Sequence, residues 1–196
     1  MGGEIIYTIL NADQNQYRVF VQLFFDCENG NPGAIKEDDV LIISQWDAGA
    51  SGFTAWTKIP PKSIPNNSAF IPEIPPIYVC IDAPLSIDQS AIDVDGDSLV
   101  YSFMTPFLGG ADDPPQRRRP STLAQYESPP FRKVQWRPPY NIANQLFGSP
   151  AFNINSQTGE VTITPTETGV FAIGILVSEF RNGVLVGETR RDYQIT

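Results

Sequence analysis

The sequence predicts an all-β protein arranged as two tandem antiparallel β-sandwich domains, and three observations carry that expectation. Apolar residues alternate at period two along several short runs. Prolines gather between two strand-rich halves, and no segment carries a capped stripe of period 3.6, so long helices are not expected.

In chain order, "EIIYTIL" (Glu4 to Leu10) is the first expected strand. "QYRVFVQLFF" follows, with Tyr17, Val19, Val21, Leu23 and Phe25 on one face and Arg18 and Gln22 on the other, the mark of a half-buried strand. "DVLIIS" (Asp39 to Ser44) and "FTAWTKI" (Phe53 to Ile59) read the same way, each bounded by Asn, Asp, Gly or Pro. The stretch from Ile59 to Tyr78 holds six prolines and reads as a connector, so the domains are expected at residues 1–76 and 77–196. Beyond it, "DVDGDSLVYSF" (Asp93 to Phe103) runs from an acidic turn into a strand. Residues 105–140 hold eight more prolines and are expected to form a long excursion from the second domain. Arg117, Arg118 and Arg119 lie in it, either gripping an anionic partner or pairing with the chain's own carboxylates. "GVFAIGILVSEF" turns Phe171, Ile173, Ile175 and Val177 inward, and "RNG" at Arg181 to Gly183 then folds it back into "VLVGETRRDYQIT" as a hairpin.

Charge and composition narrow the function. Thirteen lysines and arginines face 22 aspartates and glutamates, a formal charge of −9, which disfavours nucleic acid and anionic membranes as partners. No apolar run is long enough to span a bilayer, and the first residues lack the pattern of a signal peptide. Histidine is absent, which removes the commonest general base, the Ser-His-Asp and Cys-His systems and the usual zinc and copper ligands. A carboxylate hydrolase would still need one raised-pKa acid facing a second carboxylate across a cleft. The expected class is not an enzyme.

Asp93, Asp95 and Asp97 place three carboxylates within five residues. An EF-hand would need glycine at its sixth position and glutamate at its twelfth, where this chain has Ser98 and Met104. Two readings remain: a loop whose repulsion is relieved by a hard oxygen-seeking cation, or an Asp-Gly turn with solvated carboxylates. Cys27 and Cys80 are too far apart for a CxxC pair. In an exported protein a bridge between them would close a loop of about 50 residues and contribute roughly 4 kcal/mol; in the cytosol they would be buried free thiols.

"DVDGDSLVYSF", followed by "FNINSQTGEVTITPTETGVFAIGILVSEFRNG", resembles the cadherin-like and immunoglobulin-like repeats of large bacterial surface proteins. "MGGEIIYTILNADQNQYRVFVQLFFDC", "VQWRPPYNIANQLFG" and "EFRNGVLVGETRRDYQI" are similar, more narrowly, to the N-terminal modules of Bacteroidetes gliding-motility-associated surface proteins exported by type IX secretion. The resemblance implies tandem Ig-like or cadherin-like sandwiches at the cell surface and an extracellular setting. It implies calcium ligands at Asp93 and Asp95, with Asp97 added by the DGD form, and Glu179 where cadherins place a late-strand aspartate. It also implies a Cys27–Cys80 disulfide.

The expected function is therefore a non-enzymatic structural or adhesive segment of a surface protein or filament: spacer, stiffener or contact module, rigidified by calcium. Its partners would be neighbouring domains, identical subunits, or cell-surface glycans or proteins. The alternative is a carbohydrate-binding module in which Trp46, Trp56 and Trp136 stack on sugar rings.

Overall fold

A computed structural model of the chain describes residues 2–11, 14, 16–24, 44–45, 52–54, 57, 60, 63–109 and 132–196. Every regular element among them is a strand: β1 (Gly2–Asn11), β2 (Gln16–Phe24), β3 (Ser44–Gln45), β4 (Gly52–Thr54), β5 (Leu85–Asp88), β6 (Ser98–Phe103), β7 (Leu108–Gly109), β8 (Asn153–Ile154), β9 (Glu160–Ile163), β10 (Phe171–Arg181) and β11 (Val184–Ile195). All pairings are antiparallel, so the expected all-β class holds for the described residues.

The strands form a five-stranded sheet in the order β2-β1-β11-β10-β6 and two three-stranded sheets, β3-β4-β7 and β5-β9-β8. The inward face of β10 is the one alternation predicts, with Ile173, Ile175 and Val177 fully buried. Asn182 and Gly183 take φ of 52° and 78° between the paired residues Arg181 and Val184, the left-handed backbone that a two-residue hairpin loop requires. Along β2, Tyr17, Val19 and Val21 are half-buried while Arg18 and Phe20 are exposed, again at period two. Ile87 of β5 and Val161 and Ile163 of β9 pack onto Ile173, Ile175, Tyr193 and Ile195, with Leu146 and Phe152 in the same core, giving a sandwich-like closure. Of the expected strands at 39–44 and 53–59, Ser44 belongs to β3 and Phe53 and Thr54 to β4; most of the remainder lies outside the described residues.

The expected division at residue 76 does not separate two sheets. β1, from the first half, pairs directly with β11, from the end of the second, with Gly3 opposite Asp192 and Glu4 opposite Arg191. Nor does the proline-rich stretch run free between halves: Ala69 and Ile71 are fully buried and form a core cluster with Tyr101 and Val177. Proline carries no N–H for a ladder, so this stretch lies across the sheet as a strap rather than in it as a strand. Its polar groups are met one by one. Ser68 donates its backbone N–H to Tyr7 O at 2.9 Å, and Ser68 Oγ accepts from Tyr7 N at 2.7 Å.

The strap, β1 and β11 meet at one ion pair. Glu4 and Arg191 are both fully buried, and the contact is bidentate: Nε donates to Oε2 at 2.9 Å and Nη2 to Oε1 at 2.7 Å. The other guanidinium hydrogens reach Ile71 O (2.7 Å), Glu73 O (2.6 Å) and Gln89 Oε1 (3.2 Å). All five donors of the guanidinium thus have acceptors.

Glu4→Gln removes the compensating charge while leaving Arg191 buried, so it should lower unfolding free energy by about 3–5 kcal/mol, read by urea denaturation. Replacing both residues by methionine should recover most of that loss, because no buried charge is then left alone.

Asp192, beside Glu4's partner, is 7% exposed, and its Oδ1 accepts the Gly3 N–H at 3.3 Å. Burial pushes its carboxyl up to about 7, against the smaller opposing effect of the Gly3 N–H. The native state then holds a proton that the unfolded chain has released, so the contribution of Asp192 to stability is fully present below about pH 4 and is lost as pH rises through 7. The upper bound on this loss is about 4 kcal/mol. Asp192→Asn should flatten that slope in pH-resolved thermal melts; an unchanged slope would place the titration elsewhere.

Candidate functional site

The acidic turn is held in shape by its own first residue. Asp93 Oδ1 accepts the backbone N–H groups of Asp95 and Asp97, each at 2.9 Å, and Gly96 takes φ of 77°, a conformation glycine adopts without a Cβ penalty. β6 begins immediately after, at Ser98, which is opposite Phe180 in the register with β10. The next residue of β10, Arg181, therefore falls beside Asp97 without any long-range accident.

That neighbour is decisive. Arg181 Nε donates to Asp97 Oδ1 and Nη2 to Asp97 Oδ2, both at 2.7 Å, and Nη2 also lies 3.4 Å from Asp95 Oδ2. The Asp97 side chain is only 2% exposed, so its charge is met by a bidentate partner inside the fold. The hydrogen bonds from Arg181 to Asp97 hold the guanidinium pKa above its ordinary value. The same guanidinium reaches the strap, donating to Pro65 O at 2.8 Å and to Asn66 Oδ1 at 3.1 Å. Asp95 grips the strap as well: Asn67 gives its backbone N–H to Oδ2 at 2.7 Å and its side-chain amide to Oδ1 at 2.8 Å.

Glu179 sits two residues before Arg181, fully buried on the inner face. Its Oε1 accepts Ala69 N at 3.0 Å and its Oε2 accepts Asn66 Nδ2 at 2.6 Å. Gly187, its cross-strand partner, makes room for it: a Cβ there would lie 2.7 Å from Asn66 Nδ2 and 2.8 Å from Glu179 Cδ. Burial raises the Glu179 pKa, the Ala69 and Asn66 donors oppose that shift, and the negative charge of Asp93 adds to it.

Of the four expected metal ligands, the structure brings three together. One carboxylate oxygen from each of Asp93, Asp95 and Asp97 lies within 4.8 Å of the others, so the triad could hold a metal ion. Glu179 is not in that group; its carboxylate is engaged with Asn66 and Ala69. The donor chemistry suits a hard cation, and Asp93 Oδ2 is shut from solvent with no hydrogen-bond partner among the described residues, an oxygen a cation would satisfy. Against this, a resident cation is already present in Arg181.

The expected Cys27–Cys80 bridge is not seen: Cys80 carries an exposed free thiol, and Cys27 lies outside the described residues. Trp46, Trp56 and Arg117 to Arg119 also lie outside them. Trp136 is half-buried and gives its indole N–H to Thr105 Oγ1 at 3.0 Å. Sequence reading missed Arg181, Asn66 and Asn67. The first was visible only as the start of the "RNG" turn, and the two asparagines only as residues of a connector. Among the described residues, no helix is long and apolar enough to cross a membrane. No protein-family model, curated protein or solved structure matches the chain.

Arg181→Gln should destabilise the fold by about 1–3 kcal/mol, since it leaves the nearly buried Asp97 carboxylate without its charged donors. Adding Asp97→Asn should restore part of that loss in a denaturant double-mutant cycle. Strictly additive effects would mean the pair is not coupled.

Proposed function

We propose that the protein is a non-enzymatic contact module of a large bacterial cell-surface or filament protein, set outside the cell. The observation that supports it best is the use made of the polar side chains. Asp95, Arg181, Glu179 and Arg191 bind the strap to the sheet, so the most distinctive charged groups serve architecture.

Calcium is part of this reading. It would bind the carboxylate oxygens that Asp93, Asp95 and Asp97 bring within 4.8 Å of one another, Asp93 Oδ2 among them, beside Arg181, and would stiffen the turn and the strap end that Asp95 holds. Each carboxylate oxygen has two lone pairs, so the bonds to Asn67 and Arg181 leave coordination capacity.

Two experiments test the two parts. Protease shaving of intact cells that express the native gene should release peptides of this chain; full protection would sink the surface assignment. Calorimetry of chelator-treated protein should show a higher melting temperature after calcium is restored, with magnesium less effective. The gain should approach roughly 2.7 kcal/mol at a hundred times the dissociation constant. Asp93→Asn with Asp95→Asn should abolish it. Identical melting curves with and without calcium would leave Arg181 as the only cation of the cluster.

A further inference from the structure

Charge is unevenly distributed along this chain. Residues 114–140 contain six of the 13 lysines and arginines and one glutamate, a charge of +5. The other residues keep seven cations against 21 acids, a charge of −14. A basic stretch in so acidic a protein is not explained by solubility, which the acidic remainder already supplies.

The described end of this stretch is well anchored. Val134 N donates to Pro106 O at 2.9 Å, Lys133 bridges Phe107, and Trp136 is tied to Thr105. Burial alternates along it: Val134 and Trp136 are half-buried, whereas Lys133, Gln135 and Arg137 are exposed. In an extended backbone that spacing sets the exposed positions about 7 Å apart on one face. The Lys133 ammonium lies 6.0 Å from the Phe107 ring centroid, a contact that steadies its stem. The result is a short, backbone-anchored row offering an ammonium, an amide and a guanidinium.

We propose that Lys133, Gln135 and Arg137 form a docking row for an acidic polysaccharide, with uronate carboxylates taken by Lys133 and Arg137 and a sugar hydroxyl by Gln135. The choice of a polysaccharide among polyanions rests on the surface reading above; the charge complementarity does not. Arginine meets a carboxylate in bidentate fashion and lysine meets it as a point charge, while the amide offers both a donor and an acceptor. The contact is exposed and ionic, so it weakens steeply with salt.

The test is binding of the whole protein to immobilised polygalacturonate, with dextran as a neutral control and polyglutamate as an acidic peptide control. The expected result is saturable binding to polygalacturonate, none to dextran, and at least a tenfold loss between 50 and 300 mM NaCl, an order-of-magnitude expectation for a screened contact. Lys133→Ala with Arg137→Ala should weaken binding about tenfold or more while the melting temperature stays unchanged, since both side chains are exposed. Gln135→Ala should reduce binding to polygalacturonate but not any residual binding to polyglutamate. Absence of wild-type binding, or full retention by the double variant, overturns the proposal. Equal binding to polyglutamate would identify an acidic protein as the partner and overturn the polysaccharide. None of these results depends on where the protein resides, so failure here leaves the protease-shaving test intact.

Discussion

The buried pairing of Glu4 with Arg191 is the constraint on which the arrangement depends. It joins the first strand to the last, and its remaining donors hold Ile71 and Glu73 of the strap and Gln89 behind β5. Moving two charges out of water is costly, and such a pair contributes little net stability compared with apolar packing. What it contributes is selectivity. A strand slipped by one residue would put Glu4 on the other face and leave Arg191 buried without a counter-charge, so this register is favoured over its neighbours by the full cost of an unpaired ion.

The same logic is repeated along the strap. From Pro65 to Glu73, Ser68 and Phe70 bond backbone groups of Tyr7 and Ile92, while the carbonyls or amides of Pro65, Asn67, Ala69, Ile71 and Glu73 are met by the side chains of Arg181, Asp95, Glu179, Thr189 and Arg191. Proline-rich sequence cannot supply a regular ladder, yet buried backbone groups still require partners. Long polar side chains reaching inward from β10 and β11 provide them. This is why Glu179 and Thr189 sit fully buried among Ile175 and Val177, where alternation alone would place apolar residues. The acidic turn belongs to this system: Asp93 shapes the loop, Asp95 holds the strap, and Asp97 takes Arg181.

Such a framework also accounts for how the surface is left. With the interior charges committed to each other and to the strap, the row from Lys133 to Arg137 stands apart as exposed cationic surface. Its neighbours Val134 and Trp136 fix it to the Thr105–Phe107 stretch. Rigid presentation of this kind lowers the ordering cost of binding.

The sequence by itself determined the long strands β1, β2, β10 and β11, because side-chain alternation at period two is a local property: the faces of β2 and β10 and the Asn182–Gly183 loop follow from neighbouring residues alone. It also determined that Asp93, Asp95 and Asp97 share one turn, since adjacency in the chain guarantees adjacency in space. Only the tertiary structure decided which halves belong together. Glu4 lies 187 residues from Arg191, and nothing local marks either as the other's partner. The proline stretch read as a connector for the same reason: its composition excludes a strand, but whether it spans solvent or lies against a sheet depends on side chains more than a hundred residues away. Arg181 was legible as a turn residue and not as the counter-ion of Asp97, because that role arises from the register of β10 with β6, and register is fixed by the burial of whole strand faces rather than by any single residue.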